Sequence, residues 1–250
     1  MEYITSAYWE KGNLYPINED SLLLLQALTV RGRVLLAAVC DGIGGMEQGE
    51  CASGYLTEEL ITWFYDGLIP AVGKKKPIWV IRRSFQRKLY QIWRRMEAYG
   101  NKNNIAFGST ISVLVIWEMR YLVWHLGDCR IYHISIPNRF FRKLSDEKSN
   151  IKLLTKDHRE DMNKLTKCVG SFVPYIVPDF ITGTVRSKEV FLLCSDGFWN
   201  QIKKGELEQA LSPKELTEEK KIGRRLEEIG KAVVRRGEKD NMSAVCVVAL

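Results

Sequence analysis

The longest unbroken apolar runs in the chain are short: Val34–Cys40 and Ala244–Leu250 hold seven residues each. Runs of this length predict strands buried on both faces, because a membrane span needs about 20 apolar residues. Ser21–Thr29 and Arg33–Cys40 meet at Arg31-Gly32 and predict a hairpin. Thr110–Trp117 and Tyr121–Leu126, flanking Glu118-Met119-Arg120, predict a second hairpin, and Arg130–Ile136, Phe140–Leu144, Ile176–Val185, Val190–Cys194 and Met242–Ala249 predict further strands. Between them the apolar period lengthens. Glu47–Leu68 puts Leu56, Leu60, Phe64 and Leu68 on one helical face, and Pro77–Tyr99 does the same with Ile81, Phe85, Leu89, Ile92 and Met96. Lys203–Leu211 and Glu215–Arg236 predict two later helices. Strands joined by hairpins, with helices inserted in runs, predict an α+β layered domain with mainly antiparallel sheet, and not the regular alternation of a doubly wound fold.

Composition narrows the class. A chain of 250 residues, 46% hydrophobic and 27% charged, can bury a large core as one domain. No repeat, low-complexity tract or linker divides it. Met1–Trp9 lacks a basic stretch followed by an apolar one, so no signal peptide is expected and a cytoplasmic location is. The six cysteines form no C-x-x-C pair; Cys40, Cys168, Cys194 and Cys246 lie in or beside apolar runs, as buried thiols of a reducing compartment would.

The balance of 37 Lys+Arg against 30 Asp+Glu leaves a formal charge of +7. Many of the bases fall between Lys74 and Arg95, opposite the apolar stripe of the Pro77–Tyr99 helix, with Trp79, Tyr90 and Trp93 interleaved. That is the pattern of a solvated outer face. No helix-turn-helix, RNA-recognition or zinc-finger pattern accompanies it, so neither a nucleic acid nor a membrane is expected as a partner; an acidic protein would fit better.

The acids are placed more tellingly. Val34–Cys40 ends in Asp41-Gly42-Ile43-Gly44-Gly45, Tyr121–Leu126 in Gly127-Asp128, and Val190–Cys194 in Ser195-Asp196-Gly197. Asn18-Glu19-Asp20 directly precedes the first hairpin, and Asp240-Asn241 the last strand. A single Asp-Gly at a strand end is ordinary turn chemistry, but antiparallel topology can gather all of these along one edge. Carboxylates gathered there repel unless cations neutralise them. An oxygen-only set suits Mg²⁺ or Mn²⁺ rather than zinc, and two such ions about 3.5–4 Å apart can activate a water and clamp a phosphoryl group.

Taken in order with Gly108-Ser109-Thr110 and Thr155-Lys156-Asp157-His158, these segments resemble the motifs of metal-dependent protein Ser/Thr phosphatases of the PP2C family, in its bacterial form, over nearly the whole chain. The resemblance implies an α-β-β-α sandwich forming one domain over residues 1–250, with the metal site at one end of the two sheets. It implies that Asp41 bridges two Mn²⁺ or Mg²⁺ ions, with the Gly42 carbonyl on one of them. Asp196 and Asp240 would hold the first ion, Glu19 or Asp20 would serve the second, and Asp128 would hold a third, weaker one. The catalytic set is then Asp41, Asp196 and Asp240, and the substrate a phosphoserine or phosphothreonine protein made by a Ser/Thr kinase.

The chain departs from the family at three points. Tyr15 stands where members carry a phosphate-binding arginine, with Lys11 the nearest upstream cation and a candidate substrate-binding residue. Ile43 stands where animal members have histidine, and none of His125, His133 and His158 is expected to be catalytic. Only Arg159–Lys164 separate the Asp-His motif from Leu165-Thr166-Lys167-Cys168-Val169-Gly170, so the flap of the family is expected to be almost absent and the site open. Loss of the arginine and flap keeps a second reading in play, a binding or scaffold module that does no turnover. The oligomeric state is left open.

Overall fold

The computed structural model describes residues 1–43, 48–136, 150–160 and 164–250. Its strands are β1 (Tyr3–Glu10), β2 (Asp20–Thr29), β3 (Gly32–Asp41), β4 (Gly108–Ser109), β5 (Ile111–Trp117), β6 (Arg120–Leu126), β7 (Arg130–Ser135), β8 (Asn150–Leu153), β9 (Val169–Gly170), β10 (Asp179–Thr184), β11 (Val190–Cys194) and β12 (Met242–Ala249). Its helices are α1 (Gly49–Trp63), α2 (Ile69–Gly73), α3 (Ile78–Asn103), α4 (Asp196–Trp199), α5 (Glu206–Ala210) and α6 (Glu219–Arg235).

Two five-stranded sheets carry the fold, in the orders β1-β12-β11-β7-β8 and β10-β6-β5-β3-β2, with β4 and β9 as a separate small pair. Every pairing between these strands is antiparallel. The α-β-β-α sandwich follows from how each central strand divides its side chains. Along β3, Leu35, Ala37 and Val39 pack between the sheets against Leu114, Phe191 and Val245. The intervening Val34, Leu36, Ala38 and Cys40 pack outward against Leu56, Leu60, Phe85 and Leu89 of α1 and α3. In the other sheet, Leu192, Cys194, Ala244, Cys246 and Val248 face Ile222, Leu226, Ile229 and Val233 of α6. Burial on both faces is why these strands read as unbroken apolar runs rather than as alternating ones. No helix among the described residues is long and apolar enough to cross a membrane.

The expected hairpins and helices are present, with shifted ends. The helix expected over Glu47–Leu68 runs from Gly49 to Trp63 and then widens into a π-helical turn, Phe64–Leu68, before Pro70. The Pro77–Tyr99 helix extends to Asn103, while the two later helices shorten to α5 and α6. The expected strand Phe140–Leu144 lies outside the described residues, as do Gly44 and Gly45. Strand β1 carries no signal in the apolar pattern, because it is an edge strand with Thr5 and Ser6 in its middle; it is held by its full pairing with β12. Helix α6 lies close over β1 because Gly230 has no side chain: a Cβ there would stand 2.4 Å from the Tyr8 ring.

Five of the six cysteines are buried and all are free, Cys51 being exposed. The basic face of α3 is partly tied down. Glu59 on α1 pairs with both Lys88 and Arg95, and Arg82 lies over the Phe180 ring at 4.7 Å.

Phe85 is 1% exposed, stacks on Trp124 at 4.4 Å and meets Trp63 edge-on at 5.0 Å. Truncating it leaves a cavity that close packing cannot collapse. Phe85→Ala is expected to lose about 3–5 kcal/mol of unfolding free energy in urea at unchanged m-value, whereas Trp79→Ala, at a side chain 65% exposed, changes stability by under about 0.5 kcal/mol.

Candidate active site

The expected acids come together where the two sheets end side by side. Asp20 opens β2 and Asp41 closes β3, and the two are directly opposite in register. Both fall on the face of the hairpin that carries Leu22, Leu24, Ala37 and Val39 into the space between the sheets. Asp196 begins α4 just past the end of β11, Asp240 just precedes β12, and Asp128 follows β6.

Backbone contacts fix this arrangement. The Asp41 N–H donates to Thr110 Oγ1 (2.9 Å), and the Asp41 carbonyl accepts from Ser109 Oγ (2.9 Å) and the Thr110 N–H (2.8 Å). Gly42 donates to the Glu19 carbonyl (3.1 Å), and a Cβ on it would stand 2.4 Å from the Gly49 carbonyl oxygen, so only glycine lets β3 pass the start of α1. Gly197 does the same for the other sheet, where a Cβ would meet the Asn241 carbonyl oxygen at 2.2 Å; its absence lets α4 carry Asp196 close to Asp240.

Asn241, 4% exposed, straps the Lys11–Glu19 loop onto this edge. Its Oδ1 accepts from the Glu19 N–H (2.8 Å), and its Nδ2 donates to the Lys11 (2.5 Å) and Ile17 (3.4 Å) carbonyls. The Asn13 and Leu14 N–H groups close the loop on the Lys239 carbonyl, both at 2.8 Å.

The electrostatics report the crowding. Burial, and then Asp20, Asp196, Asp128 and Asp240 in that order, hold the Asp41 carboxyl well above the usual range. Asp20 is raised chiefly by burial, with Asp196 and Asp240 adding to it and the nearby Ser243 and Ser195 hydroxyls pulling the other way. Burial raises Asp240 to about 6 and Asp128 to about 7, with Asp196 the next cause in each case. Glu19 is raised by burial, Glu50 and Asp240.

Both oxygens of Asp20 and Oε2 of Glu19 are buried with no hydrogen-bond partner among the described residues. Buried carboxylate oxygens without donors are costly unless a cation meets them, and hard carboxylate oxygens are the donor set of Mg²⁺ or Mn²⁺. Among the described residues, no three His, Cys, Asp or Glu side chains already converge as a ligand shell. The carboxyls raise one another across the cleft, while a hydrogen bond with Asp41 pulls Asp196 back against the rise that burial imposes. The set fits hard dications in chemistry and in charge.

The remaining predicted residues fall as follows. Lys11 is exposed, and its ammonium donates to the Pro16 carbonyl (3.3 Å). Tyr15, at the position of the family's arginine, is half-buried on the strapped loop. Its phenol is raised by burial and then by Asp240, Glu19, Asp41 and Asp196, so it lies within electrostatic reach of the cluster. Sequence reasoning named Tyr15 only as a missing arginine.

Each of the three histidines has partners within the fold. His133 pairs with Glu189 (2.8 Å). His125 bonds Ser112 Oγ through Nδ1 (2.8 Å) and the Lys156 carbonyl through Nε2 (3.1 Å), and stacks on His158 at 5.0 Å. His158 in turn accepts from the Gly127 N–H (3.2 Å) and meets Asp179 (3.1 Å). Sequence reading missed Arg130, which grips Asp157 with two bonds (3.0 and 2.7 Å) beside Asp128, and Arg159, whose Nη1 lies 3.5 Å from Asp128 Oδ2. Their only sequence signal was adjacency to Asp128 and to the Asp157-His158 pair.

The protein phosphatase 2C family model matches residues 17–245. The serine/threonine phosphatase stp of Listeria monocytogenes is 24% identical over 194 residues, 74% of this chain and 75% of that protein. The protein phosphatase PhpP of Streptococcus pneumoniae is 27% identical over 186 residues, 70% of this chain and 72% of that protein. Among solved structures, the catalytic domain of the serine/threonine phosphatase PstP in complex with two manganese ions superposes with a TM-score of 0.72 at 22% identity, covering 98% of this chain and 97% of that one.

Two outcomes test this geometry. Asn241→Ala strands the buried Glu19 N–H and frees the Lys11–Glu19 loop, and is expected to cost about 1–3 kcal/mol by urea unfolding. His125 has its pKa lowered from 6.5 to about 4, first by burial and then by the positive charge of His158. A folded-state value below the unfolded one means that the unfolded chain takes up the proton first. Stability attributable to His125 is therefore complete above pH ~6.5 and falls, by at most about 1.4 kcal/mol per pH unit, down to pH ~4. Because the raised carboxylates act with the opposite sign, the measurement is the stability difference between the wild type and His125→Gln. That difference should shrink on acidification through this window.

Proposed function

Because the chain belongs to the protein phosphatase 2C family, we propose that it removes phosphate from phosphoserine and phosphothreonine on proteins by a metal-activated water. The observation that carries this is the gathering of Asp20, Asp41, Asp196 and Asp240 at one end of the sandwich, where both Asp20 oxygens are buried with no hydrogen-bond partner among the described residues. The serine/threonine phosphatase stp of Listeria and the protein phosphatase PhpP of Streptococcus support the reaction class, and the two manganese ions of PstP support the cofactor.

In this reading Asp41 would serve both ions, with the Gly42 carbonyl on one of them, while Asp196 and Asp240 would hold the first and Glu19 or Asp20 the second. When bound, the ions supply the positive charge that activates the water and stabilises the phosphoryl group under attack. The chain's own work is to hold these acids in place. Ser109 and Thr110 fix the Asp41 backbone, Gly42 and Gly197 admit the close approaches, and Asn241 holds the loop that bears Glu19. The Lys11 ammonium and the Tyr15 hydroxyl, on that same loop, are the candidate donors to the substrate phosphate in place of an arginine fork. A phenol gives one directed bond where a guanidinium gives two, so phosphate is held more weakly.

Residues 1–250 form, in this reading, one catalytic domain with almost no flap, Arg159 and Leu165 being joined directly by an antiparallel bridge. The enzyme would counteract a Ser/Thr kinase in the cytoplasm, where six free thiols are at home. A binding module without turnover is not favoured, since such a module has no need to keep four mutually repelling acids together.

The test is hydrolysis of p-nitrophenyl phosphate and of a phosphothreonine peptide with Mn²⁺. Asp41→Asn and Asp196→Asn should each lose more than about 100-fold in kcat/KM while remaining folded. Mn²⁺ at about 100 times its Kd should stabilise the wild type by about 2.7 kcal/mol and leave Asp41→Asn much less affected. No hydrolysis of either substrate at saturating Mn²⁺ would reject the proposal. Tyr15→Phe should raise KM about fivefold at nearly constant kcat, corresponding to one lost hydrogen bond of about 1 kcal/mol.

A further inference from the structure

Asp128 differs from the other acids of the cluster in already having a cation. Arg159 reaches it from the root formed by its antiparallel bridge with Leu165. There the Thr166 N–H donates to the His158 carbonyl (2.8 Å) and the Glu160 N–H to the Lys164 carbonyl (3.0 Å). The His158 N–H donates to the Gly127 carbonyl (2.8 Å), which pins that root beside Asp128. From this anchor the guanidinium lies between two carboxylates, with Nη1 3.5 Å from Asp128 Oδ2 and Nε 3.9 Å from Asp157 Oδ2. Neither partner in the Asp128 contact is well solvated, their side chains being 14% and 8% exposed.

The Trp199 ring organises the group. Its Nε1 donates to the Asp128 carbonyl (3.0 Å), Arg159 Cζ lies 4.7 Å from its centroid, and Arg130 Cζ lies 3.2 Å from it. Arg130 meanwhile holds Asp157 through both carboxylate oxygens. Two carboxylates, Asp128 and Asp157, thus face two guanidiniums. Arginine cannot give up its proton near neutral pH, so both positive charges persist there. A dication at Asp128 would have to displace Arg159 from the ring and both acids, or stand beside two fixed positive charges in a poorly hydrated site.

We infer that Arg159 is the resident cation of Asp128 and takes the place of a third metal ion, so that the chain binds two ions and not three. The inference rests on the two-ion reading above. It makes the Asp128 corner independent of metal concentration, so the Mn²⁺ dependence of hydrolysis should saturate in a single phase.

The experiment is Mn²⁺ titration of the purified full chain by calorimetry, with free Mn²⁺ counted in parallel by electron paramagnetic resonance. Wild type and Asp128→Asn should both bind two ions per chain, and so should Arg159→Lys, which keeps the charge. Arg159→Ala should gain a third, weaker ion, and the double variant R159A/D128N should return to two. Three ions on the wild type, with one lost in Asp128→Asn, would overturn the inference and leave the two-ion site standing. A count in Arg159→Ala that stays at two in a folded protein would also overturn it. Fewer than two ions on the wild type would instead reject the two-ion reading, and this inference with it. The wild-type and Asp128→Asn counts decide the matter even where Arg159→Ala fails to fold.

Discussion

Asp20 and Asp41 stand opposite one another at the first register position of a buried hairpin, and both side chains enter the space between the sheets. Two like charges in such a place oppose folding. Burial and their shared neighbours raise both carboxyls, and the Ser195 and Ser243 hydroxyls near Asp20 only partly offset this. Such a pair persists only because the rest of the sandwich leaves it nowhere else to go. β3 is packed on both faces along its length, with Val34 to Cys40 fully buried, so its register cannot slip by one residue without moving a row of apolar side chains to the wrong layer. Core packing thus pays for a strained, acidic sheet end, and hard cations are what that end is suited to receive.

The other acids are brought to this pair by devices that cost little. Glycines at 42 and 197 permit backbone approaches that any Cβ would block. Asn241 uses one amide to close a loop 222 residues earlier in sequence onto the start of β12. Ser109 and Thr110 spend their hydroxyls on the backbone of Asp41 and not on its carboxylate, which fixes the residue's position and leaves its oxygens free. The chain therefore separates two jobs: neutral side chains and backbone groups set positions, and carboxylates are kept for ligands.

Asp128 shows the alternative solution to the same electrostatic problem. It lies at the same sheet end and is also raised by burial and by Asp196, yet the Arg159 guanidinium and the Trp199 ring stand around it. One edge of the fold thus offers acids of two kinds, some left open to exchangeable cations and one answered by a fixed side chain. The Tyr15 loop makes a similar exchange, setting a phenol, rather than a guanidinium, within electrostatic reach of the cluster.

How far the sequence reached can be judged from particular residues. The unbroken runs of β3, β11 and β12 disclosed strands buried on two faces, and so a two-sheet sandwich covered by helices, because burial is written directly into side-chain type. The acids beside those runs disclosed the site, because strand ends and glycines are local features. Strand β1 escaped notice, since an edge strand with Thr5 and Ser6 in its middle draws its stability from pairing with β12, and pairing leaves no mark on one strand's sequence. What faces Asp128, what Asn241 ties together and where the Tyr15 phenol lies are likewise absent from the sequence. Each joins residues distant along the chain, and only the folded sandwich sets the distances over which charge and hydrogen bonding act. The sequence determined which groups were available and at which strand ends. The tertiary structure decided which of those carboxylates stay bare and which is already paired, because burial, repulsion and the reach of an arginine are properties of positions in space.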